Sequence, residues 1–203
     1  MINRRTFLAA AAASALPAIT SARPNPIRAD IEVPPPVAVH TCLIDERYAS
    51  GRTVGGLLCG AGVDVHAIPK GDVTQVWLRR LGPAWQSGPI TVAGLTARPA
   101  LFCLEQLARG CGLHLVFHAE HVVHAHGRSE HRLLRVAQAA DISTRDLELA
   151  GLLWPSRIAQ VIATHGTRTT HSGRRRIGVS QAGPHPPPPS GAQLLTSWII
   201  AAA

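Results

Sequence analysis

Between residues 37 and 117 the chain runs through four strand-like segments separated by three helix-like ones, and this alternation limits the fold more than any other feature. Residues 37–44 form an apolar run that ends at Asp45. Residues 46–60 are helix-like and are closed by Gly60 and Gly62. A second strand is expected over 63–68 and a helix over 72–81, where Val73, Val76, Trp77 and Leu81 share one face. A third strand follows at 90–95. The helix expected at 98–110 places Leu101, Leu104 and Ala108 on one side, and a fourth strand follows at 113–117. Strand–helix alternation at this spacing predicts βαβ units. With right-handed crossovers the expected class is α/β, three-layer. The sheet should be mostly parallel, with about four to six strands and helices on both faces, flavodoxin-like or Rossmann-like.

The pattern then changes. Residues 118–136 read as a hairpin that turns at Gly127-Arg128-Ser129. Residues 146–164 read as a helix interrupted at Pro155. Residues 165–191, rich in Gly, Ser, Thr, Arg and Pro, read as a disordered loop. The apolar tail from Leu194 is too short to span a bilayer and is expected as a last strand closing an edge of the sheet. The domain is thus expected over 37–203.

The start of the chain carries an address. Asn3-Arg4-Arg5-Thr6-Phe7-Leu8 is followed by an uncharged apolar run to Ile19 and by Thr20-Ser21-Ala22. A charged n-region, a short apolar h-region and a small-residue cleavage site form an export signal, and the arginine pair makes it of the twin-arginine (Tat) type. Residues 1–22 are therefore expected as a Tat signal peptide and 23–36 as a proline-rich linker. The expected partner during export is the Tat translocase, the destination is the periplasm, and no membrane anchor would remain after cleavage. The charge is +8, or +6 without Arg4 and Arg5. Lys70 is the one lysine, and aromatic residues make up 4% of the chain, so stacking platforms for nucleic acid are lacking and none is expected as a partner.

In an open α/β sheet, ligands bind beyond the carboxyl ends of the strands. Those ends carry Asp45, Gly71-Asp72-Val73-Thr74, Gly94-Leu95-Thr96 and His118. Asp45, Asp72, Thr74, Gly94 and Thr96 are the candidate ligand-binding residues of that crevice. Asp45, Asp72 and Thr96 each precede an expected helix, so each also suits an N-cap. Acidic caps disfavour phosphate. No GxGxxG, GxxxxGK[ST] or GxSxG motif is present.

Six of the eleven histidines fall between 114 and 131. Along an extended strand His118, His124 and His126 share a parity, with His121 on the other side. They are candidate ligands for Zn or Cu, although a solvated histidine-rich hairpin explains the same residues. Cys42, Cys59, Cys103 and Cys111 form no CxxC pair and suit either disulfides or small buried hydrophobes.

Gly71-Asp72-Val73-Thr74-x-x-Trp77 and Ala93-Gly94-Leu95-Thr96, leading to Leu101-Phe102-Cys103-Leu104-Glu105, resemble a group of uncharacterised Tat-signal proteins of Gram-negative bacteria, as does the ending Ser197-Trp198-Ile199-Ile200. The resemblance covers roughly residues 37–123 and implies export without implying an activity. Together these features predict an exported domain that binds a small molecule or a periplasmic partner protein. The alternatives are an enzyme that uses Asp45 or Asp72 as general base or metal ligand, with Thr74 and Thr96 orienting the substrate, and a histidine-rich metal-binding protein.

Overall fold

The computed structural model describes residues 38–137, 142–165, 177–179 and 190–202. The expected signal peptide and linker lie outside the described residues. The chain is α/β, built on an open, mixed sheet. Its strands are β1 (Thr41–Ile44), β2 (Asp64–Ala67), β3 (Val92–Ala97), β4 (Leu113–Val123), β5 (Ser129–Ala137), β6 (Ile177–Val179) and β7 (Gln193–Ala202). The sheet order is β2-β1-β3-β7-β4-β5-β6.

Two expectations are corrected here. The sheet is not mostly parallel. Among the described residues only β1–β2 and β1–β3 pair in parallel, and the four remaining pairings are antiparallel. The C-terminal strand does not close an edge either, because β7 lies between β3 and β4. Its burial explains this position. From Leu195 to Ala201 every residue is buried on whichever face it points to, as expected of a central strand and not of an edge. Since β7 is antiparallel to both neighbours, β3 and β4 share a direction, and β3–α4–β4 is a split βαβ unit with the chain's end inserted into the gap. Residues 177–179, expected inside a loop, form the short outermost strand beside β5.

The helices are α1 (Ala49–Gly60), α2 (Thr74–Val76), α3 (Gly82–Ser87), α4 (Arg98–Arg109), α5 (Thr144–Ala150) and α6 (Trp154–Thr164). A π-helical turn, Trp77–Leu81, joins α2 to α3, so the expected helix at 72–81 starts at Thr74 and runs on to Ser87. Pro83 supplies the reason. It brings no N–H to the ladder, and just before it the Gly82 amide reaches back to Trp77 O. Pro155 does not interrupt a helix but starts one, in the first turn of α6. α5 ends before it, at Gly151, whose φ of 51° favours glycine. A Ser143–Asp146 capping box opens α5.

Alternate strand residues enter two separate buried clusters. Cys42 and Ile44 of β1 and Leu195 and Ile199 of β7 pack with Val54 and Leu58 of α1, Leu147 of α5 and Trp154, Ile158 and Ile162 of α6. Leu43 of β1 and Trp198 and Ile200 of β7 pack with Leu81, Trp85 of α3 and Leu101, Leu104 and Ala108 of α4. The period-2 alternation of the strands and the 3.6-residue stripes of the helices account for this division.

Candidate functional site

The crevice residues divide into two groups. Asp45 follows β1, and its amide donates to Leu95 O at 3.1 Å, which ties the end of β1 to β3. Its side chain is fully buried and does not cap α1, whose N-cap residue is Tyr48. Instead Arg47 forks it: Nε donates to Oδ1 at 2.8 Å and Nη2 to Oδ2 at 2.5 Å. The Arg47 amide adds a donor to Oδ1 at 3.3 Å. Burying a carboxylate costs several kcal/mol unless it is paired in this way. The loop after β2 passes close by. A Cβ on Gly71, whose φ of +78° favours glycine, would lie 2.6 Å from Arg47 Nη2, so a side chain there would press on the fork that Arg47 makes with Asp45. Asp72, next in the chain, is exposed and accepts the Thr74 amide at 2.9 Å. The Thr74 hydrogen bonds hold its carboxyl below the usual range. Asp72 therefore serves its own helix start, and Asp45 is occupied by Arg47.

Gly94 and Thr96 lie deeper, where they accommodate β7. A Cβ on Gly94 would lie 2.4 Å from the Trp198 ring and 2.7 Å from Leu43 O. Thr96 is fully buried; its hydroxyl accepts Trp198 Nε1–H at 3.0 Å and donates to Ala97 O at 3.2 Å. It does not cap α4, since the N-cap position is Ala97.

The structure does not bring His118, His124 and His126 together. β4 ends at Val123, so the shared parity of an extended strand stops there. His118 lies along β4 with its basicity lowered, first by burial, against the opposing pull of Glu120. His124 faces Glu130 at 3.2 Å, and His126 is exposed in the turn. Among the described residues no group of three or more His, Cys, Asp or Glu side chains is placed to hold a metal ion. All four cysteines are free thiols, and burial pushes Cys42 up to about 12.

The densest chemistry lies on the other two histidines of the hairpin. His121 on β4 is fully buried and His131 on β5 is 5% exposed, so for this pair the expectation of a solvated surface is corrected. They sit opposite each other in the antiparallel register. Their Nδ1 atoms are 2.8 Å apart. His121 Nε2 meets Ser197 Oγ of β7 at 2.8 Å, and His131 Nε2 meets Ser129 Oγ at 2.9 Å. The Trp154 ring stacks on His121 with centroids 4.3 Å apart and an interplanar angle of 23°, and it tilts over His131 at 5.2 Å. The result is an unbroken chain, Ser197–His121–His131–Ser129, under an indole lid.

Proton counting fixes what this chain can hold. With both rings neutral, one Nδ1 donates and the other accepts. If His121 carries Nδ1–H, then Ser197 donates to His121 and His131 donates to Ser129. If His131 carries it, both outer bonds reverse. Every polar atom is satisfied either way, as burial requires. Burial lowers His131 to about 4, so its ring is neutral at pH 7. The sequence does signal this placement. His121 continues the inward parity of Phe117 and Ala119, and both of these are fully buried. No protein-family model, curated protein or solved structure matches this chain.

Proposed function

We propose that this chain is a Tat-exported periplasmic module that binds a protein partner through the α5–α6 junction and does no chemistry of its own. The observation that carries the reading is the exposure of three leucines within five residues, Leu149 at 76%, Leu152 at 76% and Leu153 at 69%. Grouped large apolar side chains in water mark interaction surfaces, whereas single ones are ordinary. Two further points support a binding role over catalysis: Asp45 is neutralised by Arg47, and Asp72 is turned onto Thr74. The sequence of residues 1–22 supports export. For the fold, the order β2-β1-β3 in the parallel half and the two buried clusters support a flavodoxin-like, three-layer arrangement with helices on both faces.

The test is a photo-crosslinking amino acid in place of Leu152, activated in living cells. One discrete adduct in the periplasmic fraction is expected, weakened at least fivefold by Leu149→Ser/Leu153→Ser. These exposed changes should alter stability by no more than about 0.5 kcal/mol. With Arg4→Lys/Arg5→Lys the precursor should stay in the cytoplasm and the adduct should vanish. Absence of any adduct from correctly exported protein would remove the docking reading. Export of the lysine variant would remove the Tat assignment.

A further inference from the structure

We infer that the His121–His131 pair is an acid-sensitive latch that holds the Trp154 end of α6 against the sheet. The geometry limits the pair to one extra proton. A single cation still leaves an N–H···N bond between the two Nδ1 atoms, now 2.8 Å apart. A second proton would place two N–H groups head to head, and the bond cannot survive. Protons therefore enter the pair in two coupled steps, and only the second opens it. A dication between sheet and helix needs water, and the group covering both rings is Trp154. Trp154, itself buried, begins α6 directly after Gly151-Leu152-Leu153. Gly151, at φ 51°, is the natural hinge between α5 and α6.

The pair hydrogen-bonds to both flanking strands. From β7 it receives Ser197, and from β5 Ser129. Glu120, Glu130 and Arg132 flank the two histidines along their strands and alternate to the opposite face. The ionisable groups of α5 and α6 are Arg145, Asp146, Glu148 and Arg157. None of them contributes to the lowered basicity of His131, whose cause is burial alone. The latch does not depend on what the leucine surface binds, but its opening would move that surface.

Hydrogen–deuterium exchange of the full chain at pH 7, 5 and 4 tests this, with His121→Phe/His131→Phe measured beside it at each pH so that the intrinsic pH dependence cancels. The double variant keeps ring volume and removes both partners of the bond together. Peptides from 147–158 of the wild type should match the variant at pH 7 and exchange at least tenfold faster than it at pH 4, while peptides from β3 stay protected in both. If the variant does not fold, the ratio of 147–158 to β3 exchange in the wild type alone serves as the readout. Equal protection of 147–158 at pH 7 and pH 4 would overturn the latch. So would loss of protection in 147–158 and β3 together, which would indicate global unfolding.

Discussion

Alanine at Gly94 is expected to destabilise the fold by about 3 kcal/mol or more and lower its urea midpoint sharply, while alanine at Gly56 is expected to do no harm. Gly94 sits in β3 between Leu43 of β1 and Trp198 of β7. The added Cβ would meet the Trp198 ring at 2.4 Å and the Leu43 carbonyl oxygen at 2.7 Å. Neither can step aside. Leu43 O belongs to the backbone of a paired strand, and the indole is fully buried and tied to Thr96 Oγ1. Overpacking of a dense core costs about 1–3 kcal/mol or more. Displacing Trp198 would also forfeit a buried hydrogen bond, for about 1 kcal/mol. A total of about 3 kcal/mol or more is a large part of the 5–15 kcal/mol that typically holds a domain. Gly56 lies in α1, and a Cβ there meets nothing within 4 Å. Gly56→Ala should therefore stabilise by roughly 0.5–1 kcal/mol through helix propensity. Urea midpoints of the two variants and the wild type decide the matter. Similar midpoints for the wild type and Gly94→Ala would show that Trp198 does not pack where it is placed.

Acid should weaken the fold as pH falls from 6.5 towards 4. His131 titrates at about 4 in the folded chain against 6.5 in the unfolded one. Its folded value is the lower, so its contribution is fully present above 6.5 and is lost as pH falls through the interval to 4. The linkage is worth about 2–3 kcal/mol, or roughly 5–10 °C in Tm for a chain of this size. His118, also lowered by burial, adds in the same direction. Asp72 and Asp146 are held below 3.8, so their contributions are lost only at still lower pH. Thermal melts at pH 7 and pH 4.5 should therefore show a large fall in the wild type. The fall should be at least halved in His121→Phe/His131→Phe. Equal falls in the two proteins would assign the acid response elsewhere.

Local pattern made much of this architecture legible. Leu101, Leu104 and Ala108 lie on the buried stripe of α4, as their spacing required. The hairpin turn falls at Gly127, whose φ is +79°. What local pattern could not supply was long-range pairing. The apolar run from Leu194 reads as a strand, but nothing within it says that Gly94 and Thr96, about a hundred residues earlier, are shaped to receive Trp198. Those two residues looked like crevice residues because both precede a helix and follow a strand. Asp45 looked like a cap for the same reason, yet its partner Arg47 stands only two residues away. The histidines show the opposite failing. Strand parity singled out the set His118, His124 and His126 as candidate ligands. The apolar company of His121 at Phe117 and Ala119 was the better guide to a ring that is buried. His131 could be found only through the strand register that sets it opposite His121.

The proton shared between His121 and His131 underlies both the latch and the acid response, and nitrogen-15 NMR of the histidine rings at pH 7 tests it most directly. The account predicts a neutral His131 ring and one slowly exchanging Nδ1–H proton. That proton should couple to the Nδ1 nitrogens of both residues across their 2.8 Å contact. Two rings protonated only at Nε2, exchanging freely with solvent and titrating near the ordinary value of about 6.5, would contradict it.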